Sequence, residues 1–88
     1  MSPKIGDKVT IHSWFGSDPA QIVKVSKSGK MIYIRRNNIE RKDSGKLKIV
    51  ENDFRTILTE KFTLRKDGIW RCTDSDCSLK LNIWTYKH

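Results

Sequence analysis

Ala20-Gln-Ile-Val-Lys-Val-Ser-Lys-Ser-Gly-Lys-Met-Ile-Tyr-Ile-Arg-Arg36 reads as two strands folded about a tight turn. Apolar β-branched residues alternate with polar ones on both sides of Ser28-Gly29, and the glycine supplies the positive φ that a short hairpin turn requires. With Ser28-Gly29 as a two-residue loop, Val25 opposes Ile32 and Val23 opposes Ile34, so four β-branched side chains share one face. The opposite face then carries Ile22, Lys24, Met31, Tyr33 and Arg35. A three-residue loop would set Val23 and Val25 beside Met31 and Tyr33 and leave Ile32 and Ile34 outside. The first register is preferred because it buries the β-branched set, and a slip of one residue exchanges the two faces.

The chain on either side continues in short strands. Gly6-Asp7 opens a strand over 8–13, with Val9 and Ile11 on one face and Thr10 and His12 on the other. Residues 14–19, Trp-Phe-Gly-Ser-Asp-Pro, carry loop signals. Strands are expected over 20–26 and 30–36. The charged stretch 37–46 reads as an exposed loop or the tip of a long hairpin, with Asp43-Ser44-Gly45 as its turn. A short strand over 47–50 follows, then either a brief helical turn over 53–58, capped by Asn52 or Asp53, or an irregular link. A second hairpin spans Phe62 to Cys72. Its loop Lys66-Asp67-Gly68 fits a type I turn with glycine in the left-handed region, so Leu64 opposes Trp70 and Phe62 opposes Cys72. Thr63, Arg65 and Arg71 fall on the other face. Residues 73–77 form a polar loop, and a strand over 79–86, alternating Leu79, Leu81 and Ile83, closes the chain. Five to seven short antiparallel strands with tight turns make an all-β barrel or sandwich.

Two resemblances follow from these residues. Ile5-Gly-Asp-Lys-Val-Thr-Ile11, with Pro19 to Ile34, resembles the opening strands of SH3-like barrels such as KOW and Tudor-type domains, over roughly residues 5–36. That implies a small SH3-like barrel. Gly6-Asp-Lys-Val-Thr-Ile-His-Ser-Trp14, Val25-Ser-Lys-Ser-Gly-Lys30 and Phe62-Thr-Leu-Arg-Lys-Asp-Gly-Ile-Trp70 are similar to small, uncharacterised proteins encoded by bacteriophages and prophages. This second resemblance implies a genomic context, with host factors or defence systems as partners, and brings no site residues with it.

Composition bounds the function. At 88 residues the chain is expected to form one domain. A domain of this size buries only roughly 60–65% of its unfolded surface. Three Trp, three Phe and two Tyr supply bulky core material in a chain that is 36% hydrophobic. A core of that size leaves little room for a deep cavity, which favours a shallow binding surface. No apolar run is long enough to cross a bilayer, and the N-terminus lacks an apolar signal region, so a cytoplasmic location is expected, that of the bacterial host if the protein is phage-encoded. Two cysteines, Cys72 and Cys77, are too few for a secreted disulfide scaffold.

The net charge of +8 lies almost wholly between Lys24 and Lys48, where nine basic side chains face two acidic ones. A clustered cationic surface on a small domain is the footprint of a polyanionic partner. Lys24, Tyr33 and Arg35 share a face in the preferred register, Lys27 and Lys30 flank the turn, and Arg36, Arg41 and Lys42 follow in the adjoining segment. Cations hold phosphates and an aromatic face stacks on a base, which is what single-stranded nucleic acid on a β-surface needs. The plainer alternative is a solvated, solubilising face, and an acidic protein surface is a third partner.

Trp14 and Phe15 are candidate aromatic contacts, because neighbouring residues on a strand point to opposite faces; a loop folded back to cap a barrel end is the structural alternative. Cys72 and Cys77, with four residues between them, lack the pairs and spacing of a structural zinc site, so no metal and no cofactor is expected. A disulfide between them suits oxidising conditions only. Asp74 and Asp76 form the one local carboxylate pair, without the flanking base a metal-dependent nuclease wants. The basic balance argues against a nucleic-acid mimic, and catalysis has no support beyond the chance neighbours His12 and Ser13. The expected function is a non-catalytic module that binds nucleic acid or another polyanion. The alternatives are a module that binds and modulates a host protein through Trp14 and Phe15, and a binder of an anionic small molecule such as a nucleotide.

Overall fold

A computed structural model describes residues 3–14, 16–72 and 77–84. Seven antiparallel strands form, β1 (Lys8–Ser13), β2 (Gly16–Val25), β3 (Met31–Arg41), β4 (Leu47–Phe54), β5 (Glu60–Leu64), β6 (Trp70–Cys72) and β7 (Ser78–Leu81). The order β2-β1-β7-β6-β5-β3 closes on itself through a β2–β3 pairing, and β4 pairs outside the ring with the far half of β3. The result is a closed six-stranded barrel with one extra strand, compatible with the SH3-like class. Closure removes the exposed strand edges that a small open sheet would leave. No helix of the described residues is long and apolar enough to cross a membrane.

The barrel interior is filled by Val9, Ile11, Ala20, Ile22, Ile32, Ile34, Phe62, Trp70 and Leu79, at least one from each of the six barrel strands. Each large side chain withdrawn from water in this way contributes about 1.5–3 kcal/mol. Period-two alternation explains most of the set: Val9 and Ile11 from β1, Ile32 and Ile34 from β3, Phe62 opposite Cys72, and Trp70 opposite Leu79. The second hairpin forms in its expected register. Leu64 pairs with Trp70, and Gly68 sits at φ 82° as the turn demands.

The first hairpin departs from expectation by one residue. Val25 pairs with Ile32 and Lys24 with Tyr33, as the turn predicts, but Ile22 rather than Val23 then faces Ile34. A one-residue β-bulge at Val23 shifts the register. A bulge sets two neighbouring side chains toward the same side of the strand. Val23 and Lys24 both face outward, and Ile22 turns into the core, where it is 1% exposed. An unbulged hairpin exchanges Ile22 and Val23, two apolar residues that alternation alone cannot tell apart.

Two further expectations are corrected, for 14–19 and for the last strand, and two are decided between their alternatives, 37–46 as a long hairpin and 53–58 as an irregular link. The stretch 14–19 is no loop, because Gly16 to Pro19 pair with Ser13 to Thr10 as the first part of β2. Trp14 at that turn is 93% exposed, so it does not cap the barrel; Phe15 lies outside the described residues. The stretch 37–46 is mostly strand: β3 runs on to Arg41, and the Lys42 amide donates to the Lys46 carbonyl across the tip (2.8 Å). No helical turn forms over 53–58. Asp53 and Phe54 end β4, whose bend is set by Asn52 at φ 59°, and 55–59 is an irregular link. β7 ends at Leu81, where Asn82 turns the chain at φ 64°, and Ile83 is exposed; residues 85 and 86 of the expected strand lie outside the described residues.

A polar network on the outside of β2 locks the bend of β4. Gln21 Oε1 accepts from Asn37 Nδ2 and from the Asn52 amide (2.7 Å each), while its Nε2 donates to the Gly6 carbonyl (2.9 Å). Asn37 Nδ2 also donates to the Val50 carbonyl (3.0 Å). Gln21 and Asn37 are fully buried, and their hydrogen bonds run through both Gln21 amide atoms and Asn37 Nδ2, while Asn37 Oδ1 has no partner among the described residues. Beyond this clasp the β3–β4 ribbon stands clear of the barrel. Residues 40–48 are all exposed, and the molecule is 43 Å long but only 25 and 24 Å across.

Candidate nucleic-acid interface

The outward-facing residues of β2, β3 and β5 build one surface. Lys24, Tyr33 and Arg35 line a shallow, open depression together with Val23 and Thr59. Three features of the sequence place them there. Alternation along β3 sends Tyr33 and Arg35 outward between the inward Ile32 and Ile34; the β2–β3 register sets Lys24 beside Tyr33; and the bulge brings Val23 to the same side. Lys24 Nζ sits 5.4 Å from the centroid of the Tyr33 ring, a cation–π distance. The Tyr33 hydroxyl donates to Met31 Sδ (3.5 Å).

Arg35 and Arg36 are neighbours with different surroundings. Arg36 Nε and Nη2 donate to the two Glu60 carboxylate oxygens (2.9 and 3.1 Å), and Nη1 donates to Asp18 Oδ2. Its pKa is raised above the ordinary arginine value, chiefly by the hydrogen bond to Glu60, against the opposing effect of burial. Arg55 approaches the second Asp18 oxygen (3.4 Å). This cluster ties β2, β3 and β5 together at one end of the barrel, and Arg36 is engaged by carboxylates rather than presented to solvent. Arg35, by contrast, lines the depression, and its Nε is buried without a hydrogen-bond partner among the described residues.

The other candidates are dispersed. Lys27 and Lys30 lie in the exposed β2–β3 turn. Arg41 ends β3 and Lys42 opens the ribbon tip, outside the barrel, with Lys46 and Lys48 nearby on the returning strand. Trp14 lies at the β1–β2 turn and lines no part of the depression. Cys72 and Cys77 are free thiols packed against the core, joined by a hydrogen bond from the Cys72 amide to the Cys77 carbonyl (3.0 Å); Asp74 and Asp76 fall outside the described residues.

Two cations that the sequence does not single out belong to this surface or its margin. Lys61 pairs directly across from Tyr33 on β5, and Arg71 pairs across from Thr63 on β6, where Asp67 lies 3.6 Å from its guanidinium. Alternation in the second hairpin does place them outward. What the sequence lacks is the β3–β5 pairing, which joins them to the Tyr33 surface. No protein-family model matches the chain, and neither a curated protein nor a solved structure matches it.

Proposed function

We propose that the protein is a non-catalytic module that binds nucleic acid or a similar polyanion on the outer face of β2, β3 and β5. One observation carries the reading: Lys24, Tyr33 and Arg35 line a single depression that has no carboxylate among its lining residues. Lys61, Lys27 and Lys30 extend the positive surface around it, and Arg41 and Lys42 add a second basic site on the ribbon. Arg36 has a positioning role, holding β3 against β2 and β5. A phage origin rests on the sequence resemblance alone.

Fluorescence anisotropy with labelled DNA and RNA at roughly 50 and 200 mM salt tests this, because phosphate contacts weaken steeply over that range. Binding should fall strongly with salt. Joint replacement of Lys24 and Arg35 by Ala should weaken binding to every sequence alike and flatten the salt dependence. On a single strand the log–log slope should shrink by about 0.7 for each phosphate that is no longer neutralised. Binding indifferent to both changes would retire the proposal.

A second reading is favoured by Trp14, which is 93% exposed at a hairpin turn. Aromatic side chains are prominent among the residues that carry protein–protein binding energy. If a host protein is the partner, a Trp14→Ala variant should lose it in a pull-down while nucleic acid has no effect. An anionic small molecule such as a nucleotide would instead raise the melting temperature in a thermal-shift screen.

A further inference from the structure

We infer that the depression beside the Val23 bulge is a socket for one unstacked nucleotide, so the module takes single strands in preference to duplex. This rests on the polyanion reading above and specifies the ligand of the same site.

The socket has a donor and a stacking surface at fixed positions. Arg35 Nε is buried and lacks a partner among the described residues, whereas the next guanidinium along the chain has two carboxylates. A buried donor left unpaired is costly, so a phosphate or base acceptor that reaches it gains a hydrogen bond the protein does not itself satisfy. Tyr33 forms one wall, and its half-buried ring carries the ammonium of exposed Lys24, a cation–π contact that is readily exchanged. A base arriving on that face displaces Lys24, which is then free to follow the adjoining phosphate. The bulge makes this geometry possible, because it gives the site an apolar floor at Val23 next to its cation at Lys24.

The two functions separate by residue. Lys24, Arg35 and the cross-strand Lys61 attract phosphates, which duplex and single strand both offer. Tyr33 contributes only if a base is free to stack, and in a duplex every base face is covered by its neighbours. Preference for a single strand therefore resides in one ring.

The test uses four labelled ligands of about 12 residues, a length within the site size of small barrel-type single-strand binders. They are a pyrimidine DNA strand, the same strand as RNA, the DNA strand annealed to its complement, and an abasic strand carrying phosphates alone. The intact protein should bind the two base-bearing single strands roughly 5- to 150-fold more tightly than the duplex or the abasic strand, the range of base–aromatic stacking. Tyr33→Leu should erase that margin and Tyr33→Phe should restore it, with thermal melts showing both variants folded. Lys24→Ala and Arg35→Ala should weaken all four ligands. Equal binding of all four that Tyr33→Leu leaves untouched overturns the socket but keeps the polyanion reading, as does tighter binding of the duplex. No binding of any ligand at low salt overturns both.

Discussion

Two adjacent arginines on β3 show how little a residue's identity fixes its role. Arg36 lies where three strands meet, hydrogen-bonded to Glu60 and Asp18, with its side chain 28% exposed. Its raised pKa has a defined consequence for stability. A group whose folded pKa lies above its unfolded value contributes fully below the unfolded value and is lost only as pH rises through the folded one. For arginine that window lies at strongly alkaline pH, so the titration of Arg36 itself leaves stability unchanged across the neutral range. Removing the charge is different, because Asp18 and Glu60 would then lose the cation they share, leaving Arg55 beside Asp18 alone among the described residues. Arg36→Met, similar in length and apolar, should cost about 1–3 kcal/mol. In a domain this small that is a drop of about 4–8 °C in Tm for each kcal/mol, readable by thermal or denaturant unfolding. Unchanged stability in Arg36→Met would show that the carboxylates are adequately solvated without it.

The β2–β3 hairpin carries the sharpest structural prediction. Its bulge puts Ile22 in the core and Val23 at the depression. Ile22→Ala should therefore cost about 2–5 kcal/mol, the range for a truncated core isoleucine, and Val23→Ala well under about 1 kcal/mol. An unbulged hairpin would reverse that order, so the pair of unfolding curves decides the register. The same hairpin marks the boundary of what the sequence discloses. The turns at Gly29 and Gly68 and the alternation of Val9, Ile11, Ile32, Ile34 and Phe62 are local, because turn chemistry and period two act over a few residues. Lys24, Tyr33 and Arg35 are legible together for that reason. The bulge is not, since exchanging Ile22 for Val23 alters no apolar count. Nor is the pairing of Tyr33 with Lys61, far apart in the chain, which depends on how the barrel closes rather than on any signal near either residue.

Closure leaves one part of the molecule outside its protection. The six barrel strands pair on both sides, but β4 pairs with β3 alone, and among the described residues its other edge is open. That edge lies on the ribbon that makes the molecule 43 Å long, and it includes Leu47, Ile49 and Val50, a run suited to pairing with a second chain. Lys48 interrupts the run, and Lys46 precedes it at the ribbon tip. Two β4 edges meeting antiparallel would bring these ammonium groups together in the interface, and an interposed lysine is a recognised way for an edge strand to resist such pairing. On the proposed function the ribbon lysines would serve two ends, attraction of phosphate and repulsion of a second copy. Replacing Lys46 with Thr and Lys48 with Val leaves Leu47, Ile49 and Val50 in an uninterrupted β-forming stretch on an open edge. Sedimentation velocity should show the unaltered 10.3 kDa chain as a monomer at micromolar concentration, and the double variant as concentration-dependent dimers or larger species. The two lysines need not act equally: the single substitutions should rank by how near each ammonium lies to the facing strand, and added salt should promote association of the unaltered chain by screening them. A chain already dimeric at low salt would mean that the ribbon edge is an interface, and that Lys46 and Lys48 do not guard it.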